Sequence, residues 1–223
     1  IGAVLRKSRV SSQKVEVVRS AVDADAIKLN AERRQLKEFG IGDDNFSIVV
    51  VAQLIKRKGH RFLLNILPDL LSVDPRLRIV FFGEGPEEGR LRKLTHKLDV
   101  EHVVNFAGYR SDLDDYLAAF DLFVHPADRE GLGVSILKAS AAQLPVVAFD
   151  IAGCREAVSH LKTGVLVPVG DETELCTAIG KLVEKPEFRV QLGLAGRLRM
   201  VEDFSVSNMV ERYVDIYSEV LNG

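Results

Sequence analysis

The sequence predicts an α/β fold: a Rossmann-like, doubly wound parallel sheet of about six strands, with two extra C-terminal helices. Three observations carry this. Short runs rich in Val, Ile and Phe recur along the chain and are almost continuously apolar, as strands buried on both faces are. Each run is followed by a stretch with helical periodicity, the β-then-α alternation that closes into a parallel sheet through right-handed crossovers. The last segment breaks this alternation, with two helical patterns in succession.

Taken in order, KVEVV (Lys14–Val18) reads as a short strand, and AIKLNAERRQLKEFG, residues 26–40, reads as a helix stopped by Gly40 as a C-terminal cap. The strands of the regular pattern are SIVVVAQL (Ser47–Leu54), RIVFFG (Arg78–Gly83), HVVNFAG (His102–Gly108), DLFVHP (Asp121–Pro126), PVVAFD (Pro145–Asp150) and GVLVPV (Gly164–Val169). Between and after them, helices are expected at His60–Leu71, Glu87–Leu98, Leu113–Ala119, Val134–Gln143, Arg155–Leu161 and Glu172–Glu184. Pro68 has no N–H to give the helix and predicts a kink or an early stop. Helices at Pro186–Glu202 and Val206–Leu221 complete the chain. In the last, Val206, Met209, Val210, Tyr213, Ile216, Tyr217 and Val220 keep a three-and-four seam that must pack on something. No repeat, low-complexity tract or Pro/Gly/Ser-rich linker divides the chain, so residues 1–223 are expected to form one domain.

Composition narrows the function classes. The 30 basic and 32 acidic residues leave a formal charge of -2, so no global field draws in nucleic acid or a membrane. Cys154 and Cys176 stand alone without paired spacing, which indicates neither a disulfide framework nor a zinc site and favours a reducing cytosol. No apolar run reaches the roughly 20 residues that span a bilayer, and the N-terminus lacks a signal-like apolar core.

In an open α/β sheet, ligands bind beyond the carboxyl ends of the strands near the topological switch point. The residues that follow the strands are therefore the informative ones. They are Gln53-Leu54-Ile55-Lys56-Arg57-Lys58-Gly59, Gly83-Glu84-Gly85-Pro86, Gly108-Tyr109-Arg110-Ser111-Asp112 and Asp128-Arg129-Glu130-Gly131-Leu132-Gly133. Ser111 or Asp112 can cap the helix that follows. A helix starting near Gly133 presents free backbone N–H groups and a positive dipole end, a seat for phosphate oxygens. Glu130 beside that seat would repel phosphate but can accept hydrogen bonds from the hydroxyls of an attached sugar, with Lys58 supplying opposite charge. The alternative, that Glu130 merely caps the helix and the glycines make a turn, stands equal from this stretch alone.

Several segments together resemble the C-terminal, nucleotide-sugar-binding half of retaining GT-B glycosyltransferases, the group-one or family-four class. These are QLIKRKG, FFGEGPEEGRL, NFAGYRSDLDDYLAAFDLFVHPADREGLGVSILKASAAQLPVVAFDIAGCREAV and GVLVPVGDETELCTAI, which occur in the family's order from about Val15 onwards. The resemblance implies that Glu130 contacts the donor sugar as the catalytic-site acid and that Lys58 neutralises the diphosphate. Amides around Gly131, Leu132, Gly133 and Val134 would line the sugar-phosphate pocket. Gly85 would belong to the glycine turn at the site, and Tyr109, Arg110 and Leu113 to the segment that holds the base. Two positions depart from the family. Its second glutamate, which usually binds the ribose diol, falls at Lys138, which cannot accept a hydrogen bond; its diphosphate-binding arginine falls at Gln53, which keeps a donor but loses the charge and the fork.

The resemblance implies a UDP- or GDP-sugar donor, no metal and no other cofactor, and retention at the anomeric carbon. It further implies a glycan or lipid-linked acceptor bound by an N-terminal domain absent from this chain, so that the chain is expected to be inactive alone. A cytoplasmic location is implied, with room for peripheral association at the inner face of the plasma membrane in the full-length enzyme. Gln53 and Lys138 motivate a rival, a non-catalytic binding or structural subunit with a degenerate donor site. An epimerase of related architecture is a second rival. A dehydrogenase is disfavoured because cations, not a GxGxxG turn, follow the first strand. Among single residues, His125 before Pro126 reads as a packed strand-end residue more than as a general base. His60, His96 and His160 read as helix-surface residues, Asp150 as part of a strand-ending turn, and Glu156 as either a nucleotide-side contact or a helix N-terminal acid.

Overall fold

The structure, a computed structural model, describes residues 16–222. At its centre lie β1 (Phe46–Val51), β2 (Leu77–Phe82), β3 (Val104–Gly108), β4 (Leu122–His125), β5 (Val146–Phe149) and β6 (Gly164–Val167). They form one sheet in the order β3-β2-β1-β4-β5-β6. Every pairing is parallel. The order reverses between β1 and β4, which makes their carboxyl ends the switch point.

All six expected strands are present, and their apolar continuity has the expected cause. Val49, Val80, Phe82, Phe123 and Ala148 face one core, while Ile48, Val50, Ile79, Phe81 and Val124 face the other. With helices on both faces of the sheet, neither side of a strand is left for water. The helices are α1 (His60–Val73), α2 (Glu88–Lys97), α3 (Val134–Ala141), α4 (Ala152–Ala157), α5 (Glu172–Glu184), α6 (Pro186–Asp203) and α7 (Val206–Asn222). α5 begins where Asp171 Oδ1 accepts from the Glu174 amide at 2.9 Å, and α6 begins at Pro186, whose missing N–H is no loss in a first turn. Among the described residues no helix is long and apolar enough to cross a membrane.

Five expectations need correction. α1 runs through Pro68 to Val73 instead of stopping there. In the 26–40 segment only Arg33–Phe39 is helical, as 3-10 turns ending on Gly40 at φ 78°. Before it the chain is irregular, because Asp23 Oδ1 accepts from the Asp25 and Ala26 amides in a local turn while Val22, Ala24 and Ile27 are buried. Leu113–Ala119 is two single turns, Leu113–Asp115 and Leu117–Ala119. The helix expected at Arg155–Leu161 is Ala152–Ala157; Val158 is already extended, and the Thr163 hydroxyl accepts from the Ser159 amide at 2.9 Å to hold a turn beyond it. Of the Lys14–Val18 strand, Lys14 and Val15 lie outside the described residues, and Glu16–Val18 form no strand.

The seam of α7 is present but unburied. No residue of the helix is buried, and Tyr213 and Tyr217 stack on its outer side with centroids 6.3 Å apart.

Candidate functional site

The loops leaving β1 and β4 are laced together at the switch point. After β1 the chain makes a single 3-10 turn, Lys56–Lys58, and then Gly59 at φ 72° opens α1. A Cβ on Gly59 would lie 1.8 Å from the Pro126 carbonyl oxygen, so only glycine lets these two loops touch. The Asp128 amide donates to the Arg57 carbonyl at 3.0 Å, and the Arg57 guanidinium donates to the Arg129 carbonyl at 3.0 Å. This lacing fixes Lys58 against Glu130.

Lys58 and Glu130 form an ion pair through Glu130 Oε2, with side chains 12% and 13% exposed. Such shielding from water strengthens their attraction at a cost in desolvation, and leaves either charge costly if stranded. The other carboxylate oxygen of Glu130 accepts from the Gly131 amide at 3.2 Å. His125, at the end of β4, lies beneath: its Nε2 is 3.3 Å from Glu130 Oε2 but off the direction of a hydrogen bond, so both ring nitrogens are buried without a partner. The facing His125 ring and then Lys58 hold the Glu130 carboxyl down at about 2, against the opposing effect of burial. Burial lowers His125 itself, which keeps the imidazole neutral near pH 7. His60, at the first position of α1, is also buried and edge-on to Phe81; burial, then His125 and Lys58, bring its pKa down to about 4.

Beyond Glu130, Gly131 is exposed and no protein atom lies within 4 Å of a Cβ built on it. α3 starts at Val134 after Gly133, and no side chain caps it. Its first amides are therefore free to meet an anion. On the side of β1 and β2 the same end of the sheet opens into a cleft of about 480 Å³ lined by Gln53, Glu84, Tyr109, Arg110, Ser135 and Lys138, among others. Tyr109 stands 73% exposed at its rim. Leu113 lies in the floor and is at the same time a buried core residue.

The structure thus brings the sequence-selected residues together in two adjoining groups. Gln53, Tyr109, Arg110, Leu113 and Lys138 line the cleft, while Lys58, Glu130, Gly131, Leu132, Gly133 and Val134 surround the start of α3. Gly85 belongs to neither. Its turn is zipped to Leu54, whose amide donates to the Glu84 carbonyl and whose carbonyl accepts from Glu87, both at 2.9 Å. A Cβ on Gly85 would sit 2.4 Å from that Leu54 oxygen, so this glycine serves packing.

Several partners were not foreseeable from linear spacing. Lys138 Nζ lies 2.7 Å from Asp114 Oδ2 and 2.9 Å from Oδ1. Arg110 is held by Asp112, Glu38 and the Tyr116 hydroxyl, so Asp112 does not cap the following turn. Asp150 pairs with Arg155, and Glu156 is exposed. Of the histidines read as helix-surface residues, only His96 is one. His60 is buried, and His160 lies in a bridge to Gly164. His125 is packed as expected, but it also reaches Glu130.

The model of the family described as Glycosyl transferases group 1 matches residues 31–199. EpsD of Bacillus subtilis (strain 168) is 34% identical over 192 residues, covering 86% of this chain and 50% of that protein. A GDP-mannose-dependent alpha-(1-6)-phosphatidylinositol monomannoside mannosyltransferase of Mycolicibacterium smegmatis is also 34% identical over 192 residues, covering 82% of this chain and 49% of that enzyme. Among solved structures, Anabaena HepE in complex with UDP superposes with a TM-score of 0.90 at 21% identity, over 98% of this chain and 61% of that one. The chain spans about half the length of the curated relatives it matches.

Proposed function

The chain belongs to the group 1 glycosyl transferases, and on that premise we propose that it binds a nucleoside-diphosphate sugar at the carboxyl ends of β1 and β4, as the donor-binding part of a retaining glycosyltransferase. The observation that carries this reading is the shielded Glu130 carboxylate beside Lys58, set at the uncapped start of α3 and next to a cleft of about 480 Å³. An acid, a cation and free amides in one place suit a ligand that has both hydroxyls and phosphates.

In this reading the nucleoside lies in the cleft, with Tyr109, Arg110 and Leu113 beside the base. The diphosphate meets Lys58, Gln53 and the amides from Leu132 to Val134, while the Gly131 amide stays on Glu130. As the bond from the anomeric carbon to the diphosphate breaks, negative charge grows on the leaving oxygen. The preorganised amides stabilise it without reorientation, joined by Lys58 once it has turned from Glu130 to the diphosphate. Glu130, kept ionised by its neighbours, accepts from a sugar hydroxyl and fixes the ring. The leaving phosphate then assists attack from the same face, which gives retention.

The acceptor, a glycan or lipid-linked molecule, would be supplied by the half of the longer relatives that this chain does not cover. Transfer would require that half, and with it any contact with a membrane surface inside the cell. The relative named for GDP-mannose and the neighbour solved with UDP support a nucleotide sugar without choosing its base.

A second reading, a binding subunit with a weakened donor site, is favoured by one observation: Lys138, whose ammonium is occupied by Asp114. Calorimetric titration with UDP-, GDP- and ADP-linked sugars separates the two. A saturable heat with one of them, weakened in Lys58→Met, supports the donor site. Indifference to all at millimolar concentration overturns it in favour of the subunit. In the full-length enzyme, Glu130→Gln lowers turnover more than donor affinity; unchanged turnover removes the role given to this acid.

A further inference from the structure

Lys58 cannot serve two anions at once. It is engaged with Glu130 Oε2, and a diphosphate at the start of α3 would draw it away. Glu130 would then keep only the Gly131 amide on its other oxygen, and a carboxylate 13% exposed would lose the partner of Oε2. Such a loss opposes ligand binding. One group lies within reach to take over. The His125 imidazole is 1% exposed, its ring parallel to Phe123 with centroids 6.3 Å apart, and its Nε2 stands 3.3 Å from the same oxygen. Both of its nitrogens lack a hydrogen-bond partner. Buried polar atoms are nearly always satisfied, so a doubly unpartnered imidazole beside a carboxylate, 3.3 Å from its oxygen, is a group whose partner arrives in another state.

We propose that His125 is a positioning residue for Glu130: when the donor diphosphate takes Lys58, the imidazole Nε2–H donates to Glu130 Oε2 and holds the carboxylate towards the sugar. The inference rests on the donor-site reading above and adds an exchange of partners to it. The neutral ring is suited to this, since it carries a donor without adding charge beneath the site. His60, which also lies near His125 and Lys58, remains neutral for the same reason of burial and does not compete for the carboxylate with a positive charge. The exchange moves no covalent bond. It replaces an ammonium by an imidazole N–H on one carboxylate oxygen, and it frees the ammonium for phosphate.

The test uses the whole chain and two variants. His125→Phe keeps the ring against Phe123 and removes both nitrogens, and His125→Gln returns an amide donor near the position of Nε2. The expected result is donor affinity about tenfold lower or more in His125→Phe, as for loss of a hydrogen bond to a charged group. Its thermal midpoint should be unchanged or raised, and affinity should be largely recovered in His125→Gln. A residue with only a structural role would show the reverse, a lowered midpoint with affinity intact in the folded fraction, and that outcome overturns the inference. Should His125→Phe fail to fold, nitrogen NMR of the wild-type imidazole decides. A shift of the Nε2 resonance on saturation with nucleotide sugar, in a ring that remains neutral, supports the exchange, and an unmoved resonance overturns it. A wild-type chain that binds none of the UDP-, GDP- or ADP-linked sugars overturns the donor site itself. A wild-type chain that binds one of them while His125→Phe binds it equally overturns only the role of His125.

Discussion

Replacing Lys58 by methionine keeps most of the apolar stem and removes the charge. Glu130 is then left as a carboxylate 13% exposed. Breaking a shielded pair from one side costs about 3–5 kcal/mol, because the surviving charge has lost water and partner together. The Gly131 amide, at 3.2 Å, and the nearby His125 ring remain to soften this, which places the expectation near the lower end, about 3 kcal/mol. For a chain of this size that lowers the melting midpoint by roughly 6–12 °C. Lys58→Met/Glu130→Gln removes both charges and should lose only about 1 kcal/mol, since a neutral replacement of both partners strands nothing. Urea unfolding of the wild type, both single variants and the double variant gives the cycle, with an expected coupling above about 2 kcal/mol, since Glu130→Gln alone strands Lys58 and adds its own cost. If the double variant is as unstable as the sum of the singles, the two side chains act independently and the reasoning fails. The same Lys58→Met protein should bind nucleotide sugar at least about tenfold more weakly, by loss of a charge-assisted contact to phosphate.

Gly131→Ala separates folding from binding, because no protein atom lies within 4 Å of the added Cβ. Stability measured by urea titration should change by less than about 0.5 kcal/mol, while nucleotide-sugar affinity falls because the methyl group occupies the approach to α3; unchanged affinity would place the phosphates elsewhere. The pKa of His60 lies at about 4 in the fold against roughly 6.5 when free. A lowered value means that the stability linked to the neutral ring is fully present above about pH 6.5 and is lost as pH falls towards 4. His60→Phe should therefore flatten the decline in urea midpoint between pH 7 and pH 4, with the wild-type slope retained in the variant as the contrary result. Gln143 adopts φ 61°, a left-handed conformation that disfavours a side chain. Gln143→Gly should raise stability by about 0.5–1 kcal/mol once the greater freedom of unfolded glycine is deducted, and a lowered melting midpoint would contradict this.

The sheet was legible because a strand buried on both faces needs apolar residues at every position, and six such runs are spaced by helical patterns. The start of α3 was legible for a related reason: Gly133 and the absence of a capping side chain mark a helix end that has free amides. Segments that the backbone pattern does not govern were harder. Leu113–Ala119 has helical spacing, but the Arg110–Asp112–Tyr116 cluster holds the chain in single turns. The irregular run before Arg33 owes its shape to Asp23 and to a hydrogen bond from the Val22 amide to the Phe204 carbonyl, 182 residues further on, at 2.9 Å.

By itself the sequence determined the layered parallel architecture and the loops that carry polar and charged groups, because periodicity and the residues after each strand are local properties. It also selected Lys58 and Glu130, each from the chemistry of its own segment. Only the tertiary structure decided that these two touch, that His125 lies under them without a partner, and that Asp114 occupies Lys138. The Lys58–Glu130 and Asp114–Lys138 pairs join residues 72 and 24 positions apart. They depend on strand order and on the close approach at Gly59 that sets one loop against the other, and no local pattern of residues encodes a distance across the sheet.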